Sequence, residues 1–352
     1  MSASNSIPAN AFLQLLAKLR PEVDRRIGER YDNVANRARQ HGSDVASMVD
    51  AARDLALRGG KRLRAGLIAA GWLAADGSDD LDAAIDGGVA FELLQAYLLI
   101  QDDWMDGDLT RRGGPSVHAA LTTKFGTAQR GSSSAILASD LTWSLSVETL
   151  LGIQRISPDK RIEVLSTFLR IHEDVVFGQQ LDLLGMSEDV EAMHDLKTGS
   201  YTIRGPLVLG AIMAGGSSGL LAMLTRFAAP LGVAFQLRDD LLGTFGDPAE
   251  TGKPVGNDLV VGKRTALVVE AERLANTEEK AAIAQAFGRA DASSTDVAAA
   301  TAAFISSGAR KAVEERQATL CNSAVHLLDG SELRAAVRPV LAGIVDAIRV
   351  TR

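Results

Sequence analysis

Three aspartates stand close together where an apolar stretch of the sequence ends. Asp102, Asp103 and Asp106 close residues 92–106, whose earlier part is mostly apolar and contains no Gly or Pro, so a buried helix is predicted. On that helix Asp102 and Asp106 share a face, and Asp103 is turned about 100° away. Carboxylates at this spacing repel each other unless a cation lies between them, and hard oxygen ligands of this kind suit Mg²⁺. The spacing therefore predicts a magnesium-binding helix end.

Two arginines follow the aspartates. Arg111 and Arg112 lie within the next few residues, and a guanidinium group binds phosphate through two parallel hydrogen bonds. Acids for magnesium beside arginines for phosphate suggest a site for an apolar diphosphate. A solvated acidic helix end followed by a basic loop would explain the same short motif. The motif alone therefore does not distinguish a diphosphate site from a solvated helix end.

A second acidic cluster lies far downstream and repeats the layout. Asp239 and Asp240 end another apolar helical stretch, and Lys253 and Lys263 follow them. Either cluster could arise by chance, whereas two with matching flanks are hard to explain as an accident. Two such helices facing each other would hold several Mg²⁺ ions with a diphosphate between them.

Three shorter stretches carry polar groups of the same chemistry. Lys61 and Arg64 lie one turn apart at a predicted helix start, where free backbone N–H groups favour an anion, although a basic surface cap fits equally well. Gln179 and Asp182 share a face of an otherwise apolar helix and therefore require polar partners. Lys197 precedes two hydroxyl groups and a predicted helix break at residues 205–206.

Composition limits the class of protein and its compartment. The 352 residues carry a formal net charge of −7, so nothing global attracts nucleic acid or an anionic membrane. The single cysteine, Cys321, excludes an internal disulfide and fits a reducing cytoplasm. Residues 1–8 form a polar tail without the features of a signal peptide. The uncharged residues 206–224 are broken at residues 215–219, which favours two buried helices over a transmembrane segment.

The periodicity is helical throughout, and no alternating strand of useful length is found. We therefore expect an all-α fold: a flexible tail at residues 1–8 and one large helical bundle domain at residues 9–352. Residues 10–40 are expected to form an outer helix or a pair broken near Pro21, and Ser43 with Asp44 to cap the next helix. Further helices are expected at residues 190–202 and 331–349, on either side of a loop at residues 247–263.

Together these motifs closely resemble the trans-isoprenyl diphosphate synthase (polyprenyl synthetase) family. A terpene cyclase would share the all-α fold and an aspartate-rich helix but not the basic motifs. The resemblance runs from about residue 59 to residue 265 and rests on GGKRLR at 59–64, DDWMD at 102–106, RRGGPSVH at 111–118, GQQLD at 178–182, KTGSY at 197–201, FQLRDD at 235–240, and GDPAETGKPVGNDL with GKRT through 247–265.

The resemblance implies an isoprenoid synthase-like bundle around a hydrophobic cavity, and it implies roles for the motif residues. About three Mg²⁺ ions would be held by Asp102, Asp106 and Asp239, with Asp182 acting through water and Asp103 and Asp240 in support. The allylic diphosphate would be bound by Arg111, Lys197 and Lys253, with Lys263 and Gln179 nearby. The diphosphate of isopentenyl diphosphate would be bound by Lys61, Arg64, Gln95 and Arg112. Thr198, Tyr201 and Gln236 would border the reacting carbons.

The implied reaction joins isopentenyl diphosphate to dimethylallyl, geranyl or farnesyl diphosphate by ionisation, condensation and elimination, in a homodimeric protein. The sequence departs from the family pattern at two positions. Gly243 stands where many members have a third aspartate, which is not expected to abolish activity. Arg204 is an unexpected charge near a pocket helix and is interpreted as one half of an ion pair or as a dimer contact.

Product length in the resembling enzymes depends on residues just before the first aspartate. Here Tyr97 and Leu98 occupy those positions, and Tyr97 lies about 7.5 Å along the helix axis from Asp102. That leaves room for few five-carbon units and favours geranylgeranyl diphosphate (C20). Farnesyl diphosphate (C15) and products of C25 or more are the alternatives, as is a role for Tyr97 in packing alone. A non-catalytic partner subunit is the rival of another class, and the retained aspartates argue against it.

Overall fold

The structure is a computed structural model, and it describes residues 10–75, 80–184, 190–246, 255–329 and 333–350. The predicted tail at residues 1–8 and the predicted phosphate ligand Lys253 lie outside these ranges. The described chain is almost entirely helical, so the all-α prediction is confirmed. Its strands are β1 (Thr110–Arg111) and β2 (Gly114–Pro115), which pair antiparallel in a short hairpin directly after the first aspartate motif.

Eight α-helices precede residue 195 in the described chain. They are α1 (Ala11–Arg39), α2 (Ser43–Leu57), α3 (Leu63–Ala75), α4 (Asp82–Met105), α5 (Val117–Phe125), α6 (Ala128–Leu151), α7 (Pro158–Leu184) and α8 (Val190–His194). A π-helix (Asp195–Arg204) then leads into α9 (Gly205–Met213) and α10 (Ser218–Phe245). The remaining helices are α11 (Asn257–Val261), α12 (Ala266–Leu274), α13 (Thr277–Ala286), α14 (Ser294–Ser306), α15 (Ala309–Asp329) and α16 (Arg338–Ile348).

The chain divides into two compact units, each built from separated segments. The first unit comprises Met1–Arg170, Gly205–Leu224 and Leu333–Ile344. The second unit comprises Ile171–Arg204, Thr225–Glu332 and Val345–Arg352. The first aspartate motif belongs to the first unit, and the second aspartate motif belongs to the second unit. That residues 9–352 act as one domain stays a prediction.

Small residues allow close helix packing in the first unit. A Cβ on Gly71 of α3 would lie 1.9 Å from the carbonyl oxygen of Leu207, and one on Gly210 of α9 would lie 2.0 Å from the carbonyl oxygen of Ile68. Neither contact leaves room for a side chain, so α3 and α9 pack backbone against backbone. Glycine at these positions therefore allows the two helices to pack as a tight pair.

The second unit has its own apolar core behind the second aspartate motif. Leu237 and Leu241 of α10 pack in a buried cluster with Leu259, Leu267 and Phe304. On α10, Leu237 and Leu241 are four residues apart and share one buried face. Gln236 and the aspartates belong to the same turns and project from other faces of the helix. The core therefore fixes the orientation of the second motif.

Of the two alternatives for residues 10–40, the single outer helix is confirmed, because Pro21 lies inside the continuous helix α1 and does not break it. Two local predictions need correction. Ser43 is the first residue of α2 rather than its cap; Gly42 precedes it in an extended conformation that only Gly adopts readily, with φ 121° and no side-chain cap bond. Residues 195–202, predicted as a continuation of an α-helix, belong to the π-helix.

Two described helices have the length and hydropathy of a membrane span. They are α4 and α10, and 78% and 39% of their apolar windows, respectively, are buried inside the fold. The burial of α4 is that of a core helix. Residues 206–224 are divided between α9 and α10, as predicted. The predicted absence of a transmembrane segment stays a prediction.

Candidate active site

The first aspartate motif ends α4 and is fixed by the hairpin that follows. Asp103 is fully buried, while Asp102 and Asp106 are partly exposed. Arg111 of β1 donates from Nε to Asp103 Oδ1 at 2.6 Å and lies 3.4 Å from carboxylate oxygens of Asp102 and Asp108. One arginine thus holds three carboxylates, which relieves their mutual repulsion.

Asp103 is under electrostatic strain in this arrangement. Burial raises its pKa to about 6, although the hydrogen bond and charge of Arg111 act in the opposite direction. Its second carboxylate oxygen, Oδ2, is buried without a hydrogen-bond partner. A buried carboxylate oxygen of this kind is stabilised by a nearby cation. The position of Asp103 fits the supporting role that was predicted for it.

The basic segment between α2 and α3 is fixed by a residue that sequence reasoning passed over. Arg62 has a positive φ of 54° and is 3% exposed. Its Nε donates to Asp24 Oδ1 at 2.5 Å, and its terminal nitrogens contact Glu92 Oε2 at 3.4 Å and the carbonyl of Ala56 at 2.9 Å. Arg62 therefore ties this segment to α1, α2 and α4. Its buried ion pairs leave no sequence signal beyond its place in GGKRLR.

The predicted ligands of isopentenyl diphosphate surround Arg62 in the first unit. Lys61 is exposed, Arg64 is half-buried, and Gln95 is buried three residues after Glu92 on α4. Arg112 has a positive φ of 53° and donates to the carbonyl oxygens of Leu55 and Arg58, both at 3.4 Å. Burial, aided by the charges of Arg62, Arg64 and Arg111, lowers the pKa of Arg112, and Glu92 counteracts this. A group of cations this dense favours an anionic ligand.

The predicted product-length residues lie one to two turns before Asp102. Tyr97 is buried, and Leu98 is half-buried. The ring of Tyr97 is tilted against Trp143 of α6 with centroids 5.6 Å apart, and Trp143 stacks on Phe168 of α7, also at 5.6 Å. Tyr97 is thus the first ring of an aromatic row that continues away from the aspartates. Trp143 and Phe168 were missed because no sequence pattern links them to Tyr97.

In the second unit, predicted site residues line a cavity of about 80 Å³. They are Asp182, Lys197, Gln236, Asp240 and Lys263, and the cavity is completed by His194, Asp258, Arg264 and Thr265. The structure therefore brings together residues that are up to 83 positions apart in the sequence, from Asp182 to Thr265. This mixture of carboxylates and cations around a small space fits the binding of a metal–phosphate group.

Lys197 is positioned by a close approach between α7 and the π-helix. A Cβ on Gly178 would lie 2.3 Å from the backbone nitrogen of Lys197, so only Gly fits at that position. One turn later on α7, Asp182 Oδ2 accepts a hydrogen bond from Lys197 Nζ at 2.5 Å. The GQQLD and KTGSY motifs are therefore parts of one structure. Gln179, Thr198 and Tyr201 are half-buried on the same two elements.

The second aspartate motif repeats the division found in the first. Asp240 is buried, and Asp239 is exposed. Asp240 accepts hydrogen bonds from Gln236 Nε2 at 2.9 Å and from the backbone N–H of Ala266 at 3.0 Å. Burial raises the pKa of Asp240, although the charge of His194 and these hydrogen bonds oppose the shift. In each motif, then, one aspartate is held inside while a neighbour remains accessible.

Gly243, the departure from the family pattern, lies beside another acid. A Cβ on Gly243 would be 2.7 Å from Asp258 Oδ2. The carboxylate of Asp258 therefore occupies the space that a side chain at position 243 would enter, and it also lines the cavity. Sequence reasoning included Asp258 in the GNDL segment but gave it no role. His194 lines the same cavity; burial lowers its pKa, while the charges of Asp240 and Asp182 counteract this.

The candidate metal ligands, which are single carboxylates, fit Mg²⁺ better than a metal whose ligands all come from the protein. Among the described residues, no three His, Cys, Asp or Glu side chains are close enough to hold a metal ion by themselves. Mg²⁺ is commonly bound through one or two carboxylates and completes its octahedral shell with water and substrate phosphate. Asp102, Asp106 and Asp239 offer accessible carboxylates of that kind.

Comparison with known proteins identifies the family. The sequence model of the Polyprenyl synthetase family matches residues 45–304. A geranylgeranyl diphosphate synthase of Mycobacterium tuberculosis is 35% identical over 267 residues, which are 73% of this chain and 72% of the relative. A geranylfarnesyl diphosphate synthase of Aeropyrum pernix is 32% identical over 268 residues, covering 73% and 79%.

A solved structure matches over nearly the whole chain. It is a geranylgeranyl pyrophosphate synthase from Corynebacterium glutamicum complexed with isoprenyl diphosphate and magnesium. The two chains are 34% identical with a TM-score of 0.88, and the match covers 95% of this chain and 98% of the other. The predicted resemblance and the predicted fold are thereby confirmed, and the chain belongs to the polyprenyl synthetase family of trans-prenyltransferases.

Proposed function

We propose that this protein is a Mg²⁺-dependent synthase that condenses isopentenyl diphosphate with allylic diphosphates to all-trans geranylgeranyl diphosphate. The observation that carries the proposal is the paired design of the two aspartate motifs. In each motif a buried aspartate is hydrogen-bonded in place, Asp103 by Arg111 and Asp240 by Gln236, while a neighbouring aspartate stays accessible. A structural ion pair does not require accessible carboxylates beside it, whereas a metal–diphosphate site does.

The chemistry assigns a task to each group of residues. The allylic C–O bond breaks, and its electron pair leaves with pyrophosphate. The isopentenyl double bond attacks the allylic carbon, and a proton of the adduct is lost to the pyrophosphate. Mg²⁺, when bound, neutralises the charge of the leaving group. About three ions would be held by Asp102, Asp106 and Asp239, with Asp182 acting through water.

The basic residues hold the two diphosphates and do not react. In this proposal Arg111, Lys197, Lys253 and Lys263 bind the allylic diphosphate, with Gln179 nearby. Lys61, Arg64, Gln95 and Arg112 bind isopentenyl diphosphate. Thr198, Tyr201 and Gln236 lie beside the reacting carbons and exclude water from them. No side-chain base is required, because the pyrophosphate accepts the proton.

The C20 product is favoured by Tyr97. Its ring packs against Trp143, which stacks on Phe168. The two neighbouring rings therefore hold the bulky side chain of Tyr97 in place just before the aspartates. The named products of the relatives include both geranylgeranyl and geranylfarnesyl diphosphate, at 35% and 32% identity. Overall identity therefore does not separate the lengths, and the aromatic row is the local feature that favours the shorter one. Farnesyl diphosphate is the next candidate.

The proposal extends to the protein's surroundings. We infer a homodimer acting in the cytoplasm, without a transmembrane segment and without nucleic acid as a partner. The net charge of −7, the single buried cysteine and the burial of α4 support the compartment and the absence of nucleic acid and of a membrane span, whereas the homodimer is inferred from the family resemblance alone. Dimethylallyl, geranyl and farnesyl diphosphates are the proposed allylic substrates.

The deciding experiment incubates purified protein with Mg²⁺, labelled isopentenyl diphosphate and each of the C5, C10 and C15 allylic diphosphates. The products are dephosphorylated and sized by chromatography, and an Asp102→Asn variant serves as the inactive control. A C20 product is expected. A C15 or a longer product would keep the chemistry and overturn the assigned length. No turnover with any starter would replace the enzyme by a non-catalytic partner subunit.

A further inference from the structure

The π-helix is closed by an ion pair between its own ends. Its ten residues run from Asp195 to Arg204. Arg204 donates from one terminal nitrogen to both carboxylate oxygens of Asp195, at 3.0 and 2.8 Å. Both side chains are partly buried, with 25% and 29% of their surface exposed. The interpretation of Arg204 as half of an ion pair is thus confirmed, and its partner is in the same segment.

This contact depends on the π form. In an α-helix, nine residues advance about 13.5 Å along the axis and rotate by about 900°, which places the two side chains on opposite faces. The i→i+5 hydrogen bonding of a π-helix gives wider, shorter turns and brings the same two residues together. Since π-helices are mostly single turns, a run of ten residues needs additional stabilisation, and the ion pair provides it.

The packing around the segment requires the same geometry. A Cβ on Gly199 would lie 2.5 Å from Asp195 Oδ1, and a Cβ on Gly232 of α10 would lie 2.8 Å from the Cα of Gly199. The carboxylate of Asp195 therefore lies directly over Gly199, at a contact between the backbones of the π-helix and α10. A side chain at either glycine would displace the ion pair or α10.

The segment also carries residues of the candidate site. Lys197 contacts Asp182, and Thr198 and Tyr201 follow it on the π-helix. Asp195 and Arg204 are not among the residues that line the cavity. A return to the α form would rotate Lys197 relative to the ends of the segment and would lose either its contact with Asp182 or the backbone approach at Gly178.

We propose that Asp195 and Arg204 are a positioning pair: their ion pair holds the segment in the π form, and the π form directs Lys197 at the allylic diphosphate. This inference rests on the proposed function of Lys197. The pair touches no reacting atom, and its effect on diphosphate binding is exerted through Lys197. Loss of the pair must therefore weaken allylic diphosphate binding and spare the isopentenyl diphosphate site in the first unit.

The test compares Arg204→Gln, Asp195→Asn and the charge-swapped double variant Asp195→Arg/Arg204→Asp with the native protein. The matched control is Arg316→Gln, which breaks the exposed Arg316–Glu191 ion pair of the same unit. Three readouts are taken: KM for each substrate, the Kd of inorganic pyrophosphate with Mg²⁺ by calorimetry, and the Tm. The single variants are expected to raise the allylic KM and the pyrophosphate Kd about tenfold with an unchanged isopentenyl KM. The swap is expected to restore both values to within about twofold, and the control to change neither.

A cycle with Lys197→Ala separates positioning from a general loss of stability. If the pair acts through Lys197, Arg204→Gln adds no further loss of pyrophosphate binding in the Lys197→Ala background. Additive losses, an equal rise in both KM values, or a swap that fails to recover would overturn the proposal. Should a single variant fail to fold, Arg204→Lys and the swap supply the comparison. Native protein that binds pyrophosphate but forms no product would refute the proposed function and leave the positioning test intact.

Discussion

Buried charges at the candidate site are held by specific partners, and Arg62 is the most fully enclosed example. Its side chain is 2% exposed and lies beside Glu92, which is 3% exposed, and Glu92 Oε1 has no hydrogen-bond partner. Burying two charges is costly, and the cost is offset only while both are present. The ion pair therefore fixes the basic segment in one conformation rather than adding much net stability.

Replacing Arg62 by Met is expected to lower the free energy of unfolding by about 3–5 kcal/mol, because Glu92 and Asp24 lose their buried cation. Urea unfolding measures the change. The double variant Arg62→Met/Glu92→Leu is expected to recover part of the loss, since the buried carboxylate of Glu92 is then removed together with its cation, while Asp24 is partly exposed to solvent. The control is Arg25→Met, which removes an exposed arginine of α1. Equal effects of Arg62→Met and the control would contradict the buried ion pair.

Restoring the family's third aspartate is expected to harm this protein. In Gly243→Asp the new side chain meets Asp258 Oδ2, which lies 2.7 Å from the Cβ position, and adds a like charge there. We expect a drop in kcat of about tenfold or more, and partial recovery in Gly243→Asp/Asp258→Gly, where the acid has moved from one position to the other. Steady-state kinetics at saturating Mg²⁺ provide the measurement. A gain in activity for Gly243→Asp alone would contradict the interpretation that Asp258 supplies the acid that position 243 lacks.

At the scale of helices, the sequence predicted most elements because apolar residues recur at helical spacing along nearly the whole chain. Two features had no such signal. Whether the first helix is broken near Pro21 was left open, and α1 continues through it, since packing of a long apolar face outweighs one local penalty. The π-helix was missed because its form depends on contacts with Gly178 and Gly232, which are distant in sequence. The motifs were found because their residues are close together in the sequence. Arg62, Asp258 and His194 were given no role, because contacts with residues distant in the sequence place them at the site.

The aromatic row behind the first aspartate motif leads to a prediction about product length. In Tyr97→Ala the chain can extend past position 97 but then meets Trp143, so the product is expected to lengthen by about one five-carbon unit. Adding Trp143→Ala should lengthen it again. Chromatography of dephosphorylated products gives the distribution, and Leu13→Ala, at an exposed position of α1, is the control. An unchanged distribution in both variants would mean that Tyr97 only packs.

The contact between α1 and α4 should depend on pH. Arg26 of α1 contacts Glu22 at 2.8 Å and Asp86 of α4 at 2.7 Å, and it also pairs with Asp82. Hydrogen bonds from Arg25 and Arg26 lower the pKa of Glu22 to about 2, and Arg26 lowers the pKa of Asp82. A carboxyl group whose pKa is lowered on folding stabilises the fold when the pH is above its ordinary pKa near 4. This stability is lost as the pH falls toward 2.

Arg26→Met tests this contact. The variant is expected to be less stable than the native protein at pH 7, by about 1 kcal/mol because solvent screens these partly exposed pairs. The difference should shrink between pH 4.5 and pH 2 in urea unfolding experiments. Arg39→Met, at another partly exposed ion pair of α1, is the control. A difference that is constant over this range would assign the effect to packing of the arginine stem.

At the scale of the whole molecule, metal removal should separate activity from folding. No three described acidic, His or Cys side chains form a metal site on their own, so Mg²⁺ is not expected to stabilise the protein without a diphosphate. Chelation by EDTA should abolish turnover and leave the Tm unchanged. Mg²⁺ with pyrophosphate at about 100 times its Kd should add about 2.7 kcal/mol of stability and raise the Tm by several degrees. A lower Tm in EDTA alone would reveal a structural metal.

The discontinuity of the first unit has a consequence for how the protein is made. That unit needs Leu333–Ile344, and the carbonyl oxygen of Gly343 accepts a hydrogen bond from Asn10 Nδ2. The other side-chain atom, Asn10 Oδ1, caps α1 by accepting hydrogen bonds from the backbone N–H groups of Phe12 and Leu13. During translation, residue 10 leaves the ribosome more than 300 residues before its partner does. The first unit therefore cannot finish folding on the ribosome until residues 333–344 have left it. Until then the nascent chain holds α1 without its final neighbour, and this interval exposes α1 to chaperones and proteases.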